Sequence, residues 1–160
     1  MPGVWVFPGG AVDLEDGEGE AGFRACALRE LAEEAGIELE GPEELVPFSH
    51  WITPEVVPVR FDTRFYVALA PAHSDPKPDG LETVDAAWWG PRLALEAHRA
   101  DELSLVFPTI KQLESLLPYA SSAEALDAAR ELTVEPILPR VIGEGEGRRV
   151  VLPGEPGYDD

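Results

Sequence analysis

Residues 29–37 read Arg29-Glu30-Leu31-Ala32-Glu33-Glu34-Ala35-Gly36-Ile37. At about 100° per residue, Glu30, Glu33 and Glu34 fall on one face of a helix. Apolar side chains lie on the opposite side, so this helix can pack on a core while it presents three carboxylates. Gly36 is placed to end the helix in a left-handed conformation. The pattern predicts a helix from about Ala21 to Ala35.

Three carboxylates this close together repel one another, and burying them without partners is costly. Mg²⁺ or Mn²⁺ relieves that cost, because hard divalent cations prefer carboxylate oxygen. Arg29 lies four residues before Glu33, where it can brace that side chain by an ion pair. A solvated helix surface has the same acidic pattern, so a metal site needs a second feature.

A glycine turn about twenty residues upstream supplies that second feature. Residues 4–7 are typical of a short buried strand, and Pro8-Gly9-Gly10 follows as a turn. Glycine lets the backbone approach a ligand closely, and an exposed Gly10 carbonyl could add a metal ligand. Residues 11–20 are acidic and contain glycine, which indicates a loop between the turn and the helix.

The remaining chain alternates strands and helices, which predicts an α/β domain. A serine, Ser121 or Ser122, is expected to cap one helix. We find no repeat and no domain boundary, so one domain over residues 1–160 is expected. The predicted elements are strands near 44–52, 59–70 and 84–89, helices over 91–98, 108–117 and 122–132, a loop over 71–80, and a hairpin of 134–142 with 148–152.

The chain of 160 residues has a formal net charge of −19, from 12 basic and 31 acidic residues. Nucleic acid is therefore not expected as a partner, because phosphate backbones are bound by clustered Lys and Arg. We find no membrane-spanning run and no signal peptide. The one cysteine, Cys26, excludes an internal disulfide and a cysteine-based zinc site, which fits a reducing cytoplasm. Arg with abundant Ala and Gly is typical of a GC-rich bacterial genome.

The Gly-Gly turn, the acidic loop and residues 29–37 together resemble the Nudix hydrolase family. Its signature is Gly, five residues, Glu, seven residues, then Arg-Glu-U-x-Glu-Glu-x-Gly-U, where U is aliphatic. Residues 29–37 match the second half at every defined position. The preceding loop is longer, which leaves the signature glutamate open among Glu15, Glu18 and Glu20. The resemblance implies a Nudix-type α/β/α sandwich with a mixed β-sheet.

Residues 3–10 resemble the end of the motif of coenzyme A diphosphatases, and residues 51–54 and 60–63 look like segments of the peroxisomal branch and its bacterial relatives. The likeness covers about residues 3–117, with a helix and hairpin extension over 118–160. The usual one or two N-terminal strands would lie upstream of Met1. We therefore expect a truncated sequence or a strand supplied by a partner chain, and a homodimer is one prediction.

The resemblance implies metal-dependent hydrolysis of a phosphoanhydride bond in a nucleoside diphosphate linked to another group. Coenzyme A or acyl-coenzyme A is the favoured small-molecule substrate. The implied ligands of Mg²⁺ or Mn²⁺ are the side chains of Glu30, Glu33 and Glu34 and the Gly10 carbonyl, supported by Arg29. Glu82, from a loop before a predicted strand, fits the place of a general base or a further ligand, or else is an exposed loop charge.

Three further side chains are candidates for substrate binding. Arg60 and Arg64 offer guanidinium groups to phosphates, although surface ion pairs are their commoner role. Trp51 could stack on a base, although aromatic residues in strands mostly pack in a core. Cys26 is expected to pack within its helix. The histidines show no metal-ligand spacing; they are His50, His73 and His98.

Two alternatives to an enzyme stay open. A ligand-sensing module would keep the fold without turnover, but such regulators usually carry a DNA-binding domain, and no basic helix-turn-helix segment is found. An inactive fragment is the second alternative, because the upstream strand is missing. The intact carboxylates of residues 30, 33 and 34 favour the enzyme.

Overall fold

A computed structural model describes residues 3–81, 83–143 and 145–159 of the chain. Short 3₁₀ helices lie at Pro42–Glu44 and Gly145–Gly147. Among the described residues, no helix has the length and apolarity needed to cross a membrane. The regular elements are α1 (Gly19–Ala35), β1 (Val46–Ile52), β2 (Asp62–Val67), α2 (Pro91–Arg99), α3 (Phe107–Leu116), α4 (Ser122–Arg130), β3 (Pro136–Ile137), β4 (Arg140–Ile142) and β5 (Arg149–Val151).

The chain divides into two compact units, one of Met1–Leu45 with Ala68–Asp127 and one of Val46–Val67 with Ala128–Asp160. In the first unit, α2 and α3 contribute to a buried apolar cluster, against which Trp5 packs. The Trp5 amide donates to the Ser104 carbonyl at 2.9 Å, which fixes the segment before the glycine turn. The buried members of the cluster are Ala94, Leu95, Ala97, Leu103 and Leu113.

Helix α1, the long helix of the first unit, begins two residues before its predicted start. The predicted C-terminal glycine is confirmed, because Gly36 has a φ of 63° and donates to the Ala32 carbonyl at 3.0 Å. At the other end, the loop packs closely on the helix. A Cβ atom on Gly22 would lie 2.6 Å from the Gly17 carbonyl oxygen, so only glycine fits there without a shift.

The sheet of the second unit has the strand order β2-β1-β3. Strand β1 is antiparallel to β2 and parallel to β3, so the sheet is mixed as expected. The register of β1 against β2 shifts between Pro47 and Ser49, where proline cannot donate a ladder hydrogen bond. Strands β4 and β5 pair antiparallel, which confirms the predicted hairpin.

Two predicted strands are wrong. Residues 4–7 form one isolated parallel bridge, at Trp5 with Leu105, and Val6 is 58% exposed. Residues 84–89 form no strand, and Val84 and Trp88 are 85% and 60% exposed. Both segments have strand-forming side chains, but among the described residues neither forms a continuous ladder with a neighbouring strand. The other predicted strands are confirmed with narrower bounds, and the predicted helices are confirmed to within two residues at each end. The predicted serine cap is confirmed too, because the Ser121 hydroxyl oxygen accepts the Glu124 amide at 3.2 Å.

Candidate functional site

Two of the α1 carboxylates reach the glycine turn, in the first unit. The Gly9 amide donates to Glu34 Oε2 at 2.8 Å. The Glu30 carboxylate lies so close to the next residue that a Cβ atom on Gly10 would be 2.1 Å from Glu30 Oε1. Glu30 is buried, with 8% of its surface exposed. The absence of a side chain at Gly10 is therefore what lets this carboxylate lie against the turn.

Arg29 links the third carboxylate to this arrangement. Its Nη1 atom donates to Glu30 Oε1 at 2.8 Å and to Glu33 Oε2 at 3.2 Å, so the predicted ion pair with Glu33 is present. The Glu33 side chain is 59% exposed, unlike Glu30. One guanidinium thus holds two like-charged side chains of α1 together, which offsets their mutual repulsion.

The other edge of the Arg29 guanidinium binds the loop before α1. Its Nε and Nη2 atoms donate to the two oxygens of Asp16 at 3.1 and 2.8 Å, and Nη2 also donates to the Ala11 carbonyl at 3.1 Å. Such a two-point pair of guanidinium and carboxylate fixes geometry as well as charge. Asp16 in turn accepts the Asp13 amide at 2.8 Å, which closes the loop on itself.

These contacts shift the pKa values of both partners toward their charged forms. The pKa of Asp16 is lowered, chiefly by the hydrogen bond from Arg29 and then by the Asp13 amide. The pKa of Arg29 is raised, chiefly by its hydrogen bonds to Asp16 and then to Glu30. Asp16 and Arg29 are therefore fully ionised near neutral pH.

Sequence reasoning missed Asp16. The sequence leaves the signature glutamate open among Glu15, Glu18 and Glu20, whereas the loop residue whose two carboxylate oxygens bind Arg29 is Asp16. The signal was available, because five residues separate Gly10 from Asp16, as in the first half of the Nudix signature, with aspartate in place of glutamate. Glu20 instead pairs with Arg24 at 3.1 Å.

Cys26 has the packing role expected of it. Its thiol is buried and lies 3.7 Å from the Gly10 carbonyl oxygen and 3.4 Å from that of Ala11. Burial is the main cause that raises the pKa of this thiol, so it stays protonated near neutral pH and can donate weakly to these carbonyls. Cys26 therefore supports the glycine turn from the helix side.

The donor chemistry of this region fits a hard divalent cation. Three carboxylates lie on the last turns of α1, and the glycine turn that Glu30 and Glu34 reach carries the Gly10 carbonyl. The missing Cβ of Gly10 leaves the room that the Glu30 carboxylate uses. Among the described residues, however, no group of three or more His, Cys, Asp or Glu side chains is arranged as a ready metal site.

A later loop caps the C-terminal end of α1. The Lys77 amide donates to the Ala35 carbonyl at 2.8 Å, and the Thr83 hydroxyl donates to the Glu34 carbonyl at 3.0 Å. Asp79 closes this loop, since its Oδ1 accepts the amide of Thr83 at 2.9 Å. Glu82, the predicted base, lies outside the described residues.

The second unit contains the other predicted side chains. Arg60 is exposed and donates to the Thr53 carbonyl at 3.1 Å. Arg64 Nη1 lies 2.7 Å from His50 Nδ1, and His50 Nε2 lies 2.6 Å from Asp62 Oδ1. Because a guanidinium can only donate, His50 Nδ1 accepts, and His50 carries its proton on Nε2. Trp51 is 8% exposed, which favours core packing over stacking on a base.

Known proteins match the chain over much of its length. The family described as NUDIX domain matches residues 1–108, which is more than half of the 160 residues. The chain belongs to the NUDIX domain family. This match confirms the predicted family, and it contains α1, the glycine turn and Asp16.

Two NUDIX relatives support the assignment. A Caenorhabditis elegans protein provisionally named nudix hydrolase 7 is 28% identical over 152 residues, which cover 72% of this chain and 51% of that protein. The chain thus spans about half the length of this curated NUDIX relative. The crystal structure of a NUDIX hydrolase from Alicyclobacillus acidocaldarius superimposes with a TM-score of 0.67 at 25% identity, over 79% of this chain and 81% of that one. The predicted α/β NUDIX fold with a mixed sheet is therefore confirmed.

Proposed function

We propose that this chain is a diphosphatase that hydrolyses a phosphoanhydride bond in a nucleoside diphosphate linked to another group. In this proposal Glu30, Glu33 and Glu34, with the Gly10 carbonyl, hold Mg²⁺ or Mn²⁺. The observation that carries it is the approach of α1 to the glycine turn, where Glu34 accepts the Gly9 amide at 2.8 Å and Glu30 lies against Gly10. NUDIX membership supports the reaction class.

The charge of the chain supports a metal-dependent reaction. With a net charge of −19, the protein repels a diphosphate, so added cations are needed to bring substrate to α1. Bound divalent cations offset the charge on the diphosphate and lower the pKa of a bound water. The protein's own part is to orient the carboxylates. Arg29 does this for Glu30 and Glu33, and Asp16 holds Arg29 in turn.

Coenzyme A or acyl-coenzyme A is the substrate we favour. The support is the likeness of residues 3–10, 51–54 and 60–63 to coenzyme A diphosphatases. On their chemistry, Arg60 and Arg64 are proposed contacts for phosphate groups, because a guanidinium presents a planar set of donors. Glu82 is proposed as general base on its position in the sequence.

The test is an assay of the purified chain with Mg²⁺ or Mn²⁺ and a panel of coenzyme A, ADP-ribose, NADH and dinucleoside polyphosphates. Products are identified by chromatography. We expect cleavage between the two phosphorus atoms, with coenzyme A as the best substrate. Glu33→Gln removes a charged oxygen ligand with little change of shape, and we expect kcat to fall about a hundredfold or more.

Glu38→Gln is the matched control, because it removes the same charge from an exposed side chain two residues beyond Gly36. It is expected to keep full activity. Full activity in Glu33→Gln would contradict the proposed ligand set. Saturable binding of a panel compound without products would instead identify a sensing module.

A further inference from the structure

The C-terminal end of α1 is fixed by a segment more than forty residues further along the chain. The last four carbonyls of a helix lack partners within it. In α1 the Gly36 amide donates to the Ala32 carbonyl. The Glu34 and Ala35 carbonyls accept from the later loop. Lys77 donates its amide to the Ala35 carbonyl at 2.8 Å, and Thr83 donates its hydroxyl to the Glu34 carbonyl at 3.0 Å.

The Thr83 hydroxyl is within hydrogen-bonding distance of both Glu34 and Asp79. The hydroxyl has one proton and lies 3.0 Å from two acceptors, the Glu34 carbonyl and Asp79 Oδ1. Asp79 Oδ1 already accepts the amides of Leu81 and Thr83, at 3.1 and 2.9 Å. The Glu34 carbonyl is a helix-end acceptor, and the Thr83 hydroxyl lies within hydrogen-bonding distance of it.

This cap acts on a residue of the proposed site. Glu34 is bound at both of its ends, with its backbone carbonyl bound by Thr83 and its side chain Oε2 by the Gly9 amide at 2.8 Å. The last turn of a helix frays most easily, so a partner at its carbonyls also restrains the direction of its side chains. The loop packs closely on the end of the helix, since a Cβ atom on Gly36 would lie 3.4 Å from Lys77 Cβ.

We propose that Thr83 is a positioning residue that sets the Glu34 carboxylate for cation binding through its bond to the Glu34 carbonyl. The proposal rests on the proposed function, because it takes Glu34 to be a metal ligand. Partners that orient a metal ligand commonly change metal affinity about ten- to a hundredfold when they are removed. Thr83 would then act without touching the substrate.

The test compares Mn²⁺ affinity, measured by calorimetry on the full chain, in Thr83→Val and Thr83→Ser. Valine keeps the shape of threonine without the hydroxyl, and we expect Mn²⁺ affinity to fall about tenfold. Serine keeps the hydroxyl and is expected to restore the affinity. Ser74→Ala is the matched control, because it removes another hydroxyl bond of the preceding loop, from Ser74 to the Pro71 carbonyl at 2.6 Å.

A double-mutant cycle shows whether Thr83 acts through Glu34. In a Glu34→Gln background, Thr83→Val is expected to change Mn²⁺ affinity less than about twofold. An equal loss in both backgrounds, or no loss in either, would overturn the positioning role. If Thr83→Val does not fold, Thr83→Ala takes its place in the same cycle, because it introduces no larger group.

Amide hydrogen exchange without metal separates this proposal from the proposed function. We expect faster exchange of the Lys77 and Gly36 amides in Thr83→Val, and unchanged exchange in Thr83→Ser and Ser74→Ala. Faster exchange with unchanged Mn²⁺ affinity would mean that Thr83 is only structural. An unsubstituted chain that binds no Mn²⁺ would overturn the proposed function itself, whatever the exchange shows.

Discussion

The Glu30 carboxylate depends for its position on the absence of a side chain at Gly10. Its Oε1 atom accepts Arg29 Nη1 at 2.8 Å and occupies space that any side chain at Gly10 would need. The sequence indicated the shared face of the three carboxylates and the ion pair of Arg29 with Glu33, because both follow from helical spacing. It did not indicate that Glu30 is buried and Glu33 exposed, since that depends on where a distant turn folds back.

At this scale, Gly10→Ala tests the close approach. The new Cβ would lie 2.1 Å from Glu30 Oε1, so the Glu30 side chain must swing away from Arg29. We expect a loss of about 1–3 kcal/mol in the free energy of unfolding, and a fall in kcat of about a hundredfold. Urea unfolding and the hydrolase assay measure the two effects. Gly9→Ala is the control, because nothing lies within 4 Å of its added Cβ, and equal effects of the two substitutions would contradict this account.

Helix α1 is held by neighbours along its length, and sequence reasoning found only part of this support. Gly36 was predicted as its C-terminal cap, because glycine readily adopts a positive φ. The pairing of Asp16 with Arg29 was missed, because a contact across a loop leaves no periodic pattern. The strand predicted over residues 84–89 failed for a related reason. Its side chains suit a strand, but Trp88 donates its indole N–H to the Ser74 carbonyl at 2.9 Å and no strand pairs with it.

The pair of Asp16 and Arg29 makes the attachment of the loop to α1 dependent on pH. The folded pKa of Asp16 lies below its usual 3.8, so its contribution to stability is complete above that value and is lost as pH falls through the folded pKa. We expect Asp16→Asn to unfold at lower urea than the unsubstituted chain near pH 7. The difference should shrink toward zero below about pH 4.

Urea unfolding of both proteins from about pH 3 to pH 7 measures that difference. Asp13→Asn is the matched control, because Asp13 is 3.6 Å from Arg29 with a side chain that is 70% exposed. An exposed pair contributes little, so we expect a small effect at every pH. A difference for Asp16→Asn that stays constant across the range would show that its charge is not what holds the loop.

For the molecule as a whole, the net charge of −19 opposes the binding of an anionic diphosphate at α1. The composition gives this charge without any structure, and from it we expect no nucleic-acid partner. The family and the α/β fold were predicted, because residues 29–37 match the second half of the Nudix signature at every defined position. Coenzyme A as substrate stays a prediction from likeness alone, because substrate choice depends on side chains from separate parts of the chain whose spacing follows no local pattern.

The most direct test of the central claim is calorimetric titration of the chain with Mn²⁺ at about 0.15 M KCl, which screens diffuse attraction to an acidic protein. We predict saturable binding below millimolar concentration, and a loss of at least about tenfold in affinity in the triple variant Glu30→Gln, Glu33→Gln, Glu34→Gln. A second triple variant removes the same charge from exposed positions, at Glu38, Glu96 and Glu135, and is predicted to bind like the unsubstituted chain. Equal Mn²⁺ affinity in the two triple variants would contradict the assignment of the α1 carboxylates as metal ligands.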